Sequence, residues 1–221
     1  MTRLHSKPIR RCTNDDGAVI VEFAIIAPIL VMFFAGIVDI GVGYRDRTEE
    51  QGTLQSAART DSNADQNYLA EYLTVVSYEA GVNKFTRITP VRLISYLVTP
   101  SGSPSFAVPA SCLSAAVPAN ASSSAFGGVV GLCNVYGPLQ MSFAGSFVES
   151  GASTSPFTCN PSAGWDRDWC PGNRHEHLTD NGNDGPDFVG LYVELTYSPL
   201  VGMWTHSVTF KDTAVSRIEP Q

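Results

Sequence analysis

The sequence predicts an α+β protein: a long N-terminal transmembrane helix followed by a small extracytoplasmic head, loop-rich, built on an antiparallel sheet and stabilised by disulfides. Three observations carry that expectation. An apolar run from Ala18 to Val38 is 21 residues long, and at about 1.5 Å per helical residue it spans about 30 Å, the thickness of a bilayer's hydrocarbon core. Beyond it, helical patterns come first and strand patterns later, which suits segregated helices and an antiparallel sheet. Four cysteines, Cys112, Cys133, Cys159 and Cys170, all follow the apolar run.

The first element is a basic leader, residues 1–17. Arg3, Lys7, Arg10 and Arg11 outnumber Asp15 and Asp16, and the positive-inside tendency then places the N-terminus in the cytoplasm and everything beyond about Tyr44 outside. A cleaved secretory signal would have an apolar region of about 7 to 15 residues and a small-x-small cleavage site. Ala35-Gly36-Ile37-Val38-Asp39 supplies no such site, so the helix is expected to stay with the protein. Within it stands one carboxylate, Glu22. A carboxylate near the centre of a membrane helix is disfavoured by about 2.5 to 3.5 kcal/mol on insertion scales, so such residues tend to mark a partner or a functional site. Glu22 lies near one end of the span, where snorkelling would also accommodate it. Pro28 carries no chemistry here, because membrane helices tolerate proline with a local kink.

The residues from Gly17 to Glu22 have a further property. A short basic leader ending in glycine, with glutamate five residues on, resembles the type IV prepilins and pseudopilins, whose leader is cut on the cytoplasmic side by an aspartyl prepilin peptidase. Cleavage after Gly17 would make Ala18 the first mature residue and Glu22 the fifth. The longer stretch Gly17-Ala-Val-Ile-Val-Glu-Phe-Ala-Ile-Ile-Ala-Pro-Ile-Leu30, with Gly36-Ile-Val-Asp-Ile-Gly41 and Gln55-Ser-Ala-Ala-Arg59, is similar to the TadE-like family, minor pseudopilins of the bacterial tight-adherence (Flp) pilus machinery. That part of the resemblance covers residues 17 to 60. Tyr192-Val-Glu-Leu-Thr-Tyr197 and Ala214-Val-Ser-Arg-Ile-Glu-Pro220 are similar to the family's closing strands, whereas residues 100 to 187 match nothing recognisable. Better-known type IV pilins begin with an N-methylated Phe where this chain has Ala18, so the resemblance implies cleavage more firmly than methylation. Its implied partners are the prepilin peptidase, other pilins or pseudopilins, the pilus assembly platform and the lipid bilayer.

The chemistry of such a motif follows from general rules. Glycine before a scissile bond offers an unhindered backbone. Cleavage exposes an ammonium on Ala18, and an unpaired charge entering an apolar filament core is costly, which makes the Glu22 carboxylate of a neighbouring subunit its natural partner.

The expected organisation is a leader over 1–17, a transmembrane and stalk helix over 18–60, and a head over 61–221 containing a loop-rich insertion over 101–187. The stalk continues through Arg45-Asp-Arg-Thr-Glu-Glu-Gln51 with a thin apolar stripe at Leu54, Ala57 and Ala58, and Asp61-Ser-Asn-Ala-Asp65 is expected to break it. Glu71 to Ala80 reads as a second helix stopped by Gly81. Val91 to Val98 reads as a strand that alternates imperfectly and ends at Pro100. Phe188 to Tyr197, rich in aromatic and β-branched residues between Pro186 and Pro199, is the clearest strand. His206–Lys211 and Thr213–Ile218 follow as one interrupted strand or two short ones. Between Ser101 and Trp165 the chain has no Lys or Arg and a single acid, Glu149, but Phe106, Phe126, Phe143, Phe147 and two cysteines give it something to bury. Short strands are expected near Val129–Cys133 and Leu139–Phe143.

The cysteines sort by compartment. Cys12 belongs to the leader, while Cys112, Cys133, Cys159 and Cys170 lie in oxidising space and allow three pairings, with sequence proximity favouring Cys112 with Cys133 and Cys159 with Cys170. Metal readings compete with this. A zinc site from Cys170, His175 and His177 matches no familiar ligand spacing. Asp180, Asp184 and Asp187 are calcium candidates in a segment rich in oxygen ligands, yet the register and distal Glu of an EF-hand loop are missing, and Asn-Gly and Asp-Gly pairs are ordinary turn chemistry. No catalytic motif appears, so neither an enzyme nor a cofactor is expected. From Arg45 onward 10 basic and 17 acidic residues give a net charge of −7, which argues against nucleic acid as a partner. The alternatives are a membrane-anchored extracytoplasmic enzyme or metal-binding protein, and an uncleaved TadE-like envelope structural protein.

Overall fold

A computed structural model describes residues 15–67, 69–98, 106–118, 127–142, 168–174, 187–200 and 207–218. The chain is mixed α+β and divides into two units, Met1–Val42 and Gly43–Gln221. A 50-residue helix, α1 (Asp15–Ala64), starts in the first and ends in the second. Within the first unit its large apolar side chains, among them Ile20, Phe23, Ile25, Phe33, Phe34 and Ile37, are exposed. Among the described residues α1 is the one helix long and apolar enough to cross a membrane.

In the second unit, α2 (Ala70–Val82) precedes β1 (Ile88–Val98), the four-residue helix α3 (Ala110–Leu113), the hairpin strands β2 (Gly127–Val129) and β3 (Cys133–Tyr136), and α4 (Pro138–Ser142). A 3-10 turn at Pro171–Asn173 and the long strands β4 (Phe188–Tyr197) and β5 (Val208–Arg217) follow. The five strands form one sheet in the order β2-β3-β1-β4-β5, with every pairing antiparallel.

Pleating sends alternate side chains to opposite faces. One face meets the helices: Leu93, Tyr136, Leu191, Val193 and Leu195 pack with Leu54, Ala57 and Ala58 of α1 and with Val75 and Tyr78 of α2. The other face gathers Ile94, Tyr96, Val98, Val135 and Tyr192 around Cys112 and Cys133. Because both faces are covered, β1 loses the clean apolar–polar alternation of a half-buried strand. Gly190 sits directly opposite Tyr96, and a β-carbon there would strike the tyrosine ring.

Several local expectations need correction. The stalk does end within Asp61–Asp65, but only at Ala64, before Asp65 at φ 51°; Asp61 and Ser62 still lie inside the helix, buried and hydrogen-bonded, Ser62 to Ser216 at 2.9 Å. Gly81 does not stop α2 but lies in its last turn, where a β-carbon would collide with Thr53 of α1; glycine there permits close helix packing. β1 begins three residues earlier than Val91, at Ile88, with an irregularity between Pro90 and Arg92, where a proline in a strand is tolerated. The strand expected over Leu139–Phe143 is not formed by its described residues: Pro138–Ser142 is helical, opened by a proline that suits a first turn, while the Gln140 side chain accepts the Gly137 N–H and Phe143 lies outside the described residues. β5 is one continuous strand, paired with β4 from Val208 to Arg217 without a register shift.

Candidate functional site

The first candidate lies at the start of α1. Gly17, Ala18 and Glu22 all fall within the helix and are exposed. Among the described residues a β-carbon at Gly17 would meet nothing within 4 Å, and its φ is not positive. Neither packing nor backbone geometry therefore requires glycine here, although glycine in a helix costs about 1 kcal/mol relative to alanine. What glycine does provide is greater backbone freedom in the first turn. Glu22, one turn further, is a lone carboxylate among exposed Val19, Ile20, Val21, Phe23 and Ile25.

The head contains four of the five cysteines. Cys112 of α3 and Cys133 of β3 are joined by a disulfide across a sequence separation of 21. Cys170 is disulfide-bonded as well, while Cys159 lies outside the described residues. Asp187 precedes β4, and its carbonyl accepts the Ile218 N–H at 3.0 Å. Asp180, Asp184, His175 and His177 lie outside the described residues, among which no group of three or more His, Cys, Asp or Glu is placed to hold a metal.

The most highly organised polar cluster in the head is one that sequence reading did not isolate. Arg174, fully buried just after the 3-10 turn, donates to Asp61 of α1 at 2.7 Å and to Glu71 of α2. Its guanidinium stacks 4.2 Å from the centroid of the Trp169 ring. Ser95 of β1 donates to Glu71 at 2.8 Å, and the Tyr136 hydroxyl of β3 donates to the other Glu71 oxygen. One cation thus serves two buried carboxyl groups. Burial, and then the charge of Asp61, push the Glu71 carboxyl up to about 8, against the opposing pull of Arg174, Tyr136 and Ser95. Asn134 of β3 fixes the segment that carries the arginine, accepting the Asp168 and Trp169 N–H groups at 2.9 Å each and donating to the Trp169 carbonyl at 2.9 Å. The arrangement suits structural cohesion: α1, α2, β1, β3 and residues 168–174 converge on one charge network.

A second buried acid lies elsewhere on α1. Glu50 is fully buried, and the hydroxyl of Tyr78 donates to its Oε1 at 3.4 Å. On β5, Asp212 accepts from Gln51 at 2.9 Å and from Arg47 at 3.1 Å. Sequence alone gave no sign of either pairing, because Arg174 and Asp61, like Gln51 and Asp212, are more than 100 residues apart.

Together these features define a protein with one candidate membrane span and a disulfide-containing α+β head. Residues 17–60 match the model of the TadE-like protein family, a family associated with the tight-adherence pilus. No curated protein and no solved structure matches the chain.

Proposed function

We propose that this protein is a minor pseudopilin of a tight-adherence (Flp) pilus, cut by a prepilin peptidase after Gly17, with the head outside the cytoplasm. The observation that carries this reading is the pair Gly17 and Glu22 at the entrance of a membrane-length helix. Among the described residues nothing packs against the glycine, and the glutamate is exposed between apolar side chains. Cleavage creates an ammonium at Ala18, and in a growing filament Glu22 of an adjacent subunit neutralises it, which selects the register of insertion. The function is assembly rather than catalysis, and the match over residues 17–60 supports a pilus-associated role.

N-terminal sequencing of the mature protein from cells with and without the prepilin peptidase tests the proposal. The expected result is a chain starting at Ala18 only when the peptidase is present. Retention of residues 1–17 in peptidase-positive cells would leave an uncleaved envelope structural protein instead. Glu22→Ala is expected to be cleaved normally but to be absent from filaments, and its normal incorporation would remove the assembly role.

A further inference from the structure

Glu50 is a fully buried carboxyl whose Oε2, among the described residues, has no hydrogen-bond partner and whose Oε1 has one long bond, from Tyr78 of α2 at 3.4 Å. On β5, Asp212 concentrates its donors on a single oxygen: Gln51 and Arg47 both reach Oδ1, and the buried Oδ2 has no partner. The groups acting on Glu50 from its surroundings are Asp212 from β5, Tyr78 from α2 and Arg47 from α1 itself. The one cation among them is bonded to Asp212, not to Glu50. An ionised carboxylate in that position would be buried with one weak donor, an arrangement that folding strongly disfavours.

We propose that Glu50 is a neutral carboxylic acid in the folded head and serves as a proton-operated latch between α1 and α2, beside Asp212 of β5. A proton suits the site better than a metal ion. There are two carboxyl groups rather than three, Asp212 Oδ1 is already saturated by an amide and a guanidinium, and the positive charge of Arg47 repels a second cation. Burial, reinforced by the charge of Asp212, pushes the Glu50 carboxyl up to about 8.

The sign of the pH dependence follows. Between the ordinary value of 4.5 and about 8, the folded head holds a proton that the unfolded chain has released, so raising the pH through that window weakens the fold. Above about 8 both states have lost the proton and this contribution levels off. The head therefore tightens in acid, and this conclusion does not depend on the pilus assignment.

Thermal unfolding of the full chain in detergent micelles between pH 5 and 9 tests the latch. In the wild type the midpoint is expected to fall as pH rises to about 8. In Glu50→Gln, which keeps the shape without the titration, the fall is expected to be shallower. Glu71→Gln serves as the background, because burial also pushes the Glu71 carboxyl up; the loss of slope from Glu50→Gln must persist on it. Carbon-13 spectra of labelled glutamate carboxyls supply a second readout. One resonance with a midpoint near 8 should disappear in Glu50→Gln or, where that variant folds poorly, should be displaced in Tyr78→Phe. Equal slopes in the wild type and Glu50→Gln, or a Glu50 resonance titrating near 4.5, would overturn the latch. So would calcium or magnesium raising the wild-type midpoint at pH 7 but not that of Glu50→Gln, which would make the occupant a metal ion.

Discussion

The two parts of α1 follow opposite packing rules. In the first unit Val19, Ile20, Phe23, Ile25, Phe33 and Phe34 all face outward, and the carboxylate Glu22 is exposed among them. In the second, Leu54, Ala57 and Ala58 are buried, and two acids, Glu50 and Asp61, are buried with them. A helix apolar all round has no stable place in water, whereas lipid satisfies it because the helix closes its own backbone hydrogen bonds. In the second unit the hydrophobic effect drives a stripe against the sheet, and buried polar groups survive only where partners meet them. The difference shows one continuous element whose first part has the surface of a membrane span and whose second part packs as a helix of a folded head does, with its acids in opposite surroundings. Among the described residues Glu22 is exposed between apolar side chains, while Asp61 is paired with Arg174.

Removing that arginine should give the largest effect. Arg174→Met leaves Asp61 and Glu71 in the interior without their cation, and breaking a buried pair from one side costs about 3–5 kcal/mol. Denaturant unfolding monitored by tryptophan fluorescence is expected to show the head destabilised by that order. Helical circular dichroism from the span should remain, because its stability in micelles does not draw on the head's network. Loss of both signals together would break the comparison. Combining Arg174→Met with Asp61→Asn and Glu71→Gln should recover part of the loss by removing the stranded charges.

Next in size is the disulfide. Cys112–Cys133 closes a loop with a sequence separation of 21, and the chain-entropy relation puts its contribution at about 3 kcal/mol. The double variant Cys112→Ser with Cys133→Ser is expected to lower the head's thermal midpoint. It should act most strongly on the sheet face opposite α1, where both cysteines lie. Hydrogen exchange that loosens Ile94, Val135 and Tyr192 before Leu54 and Val75 would sharpen the distinction between the two faces.

How much of this was legible in the sequence depends on the range of the interactions. The span could be read because lipid exposure is a property of the run itself. The α2 helix and the Phe188–Tyr197 strand could be read because their composition and flanking residues are local. Asp61 and Gly81 lie inside helices for a reason that is not local: in isolation each favours the end of a helix, and only a distant partner, Arg174 in one case and close packing against Thr53 in the other, shows why each sits inside one. Leu139 looked like a strand residue by its apolar character, but Pro138 and Gln140 set up a helical turn instead. The Gly17–Glu22 spacing was fully visible. The Arg174 network was not, since its members contribute to four elements and one turn and no periodicity links them.

The smallest effect should come from Arg45 and Glu49, near the start of the second unit. Their ion pair is short, 2.8 Å, but the side chains are 74% and 47% exposed. In water such a pair gains little, because solvent screens the attraction and two long side chains must be ordered to make it. Glu49→Gln is therefore expected to leave the head's denaturation midpoint unmoved at both low and high salt. The same chemistry that makes Arg174 indispensable should count for almost nothing here, the difference being the water around it. A clear destabilisation that salt failed to screen would mean that Arg45 and Glu49 are removed from bulk water. The change from lipid rules to water rules would then fall further along α1 than residue 43, and the comparison between its two parts would have to be redrawn at that point.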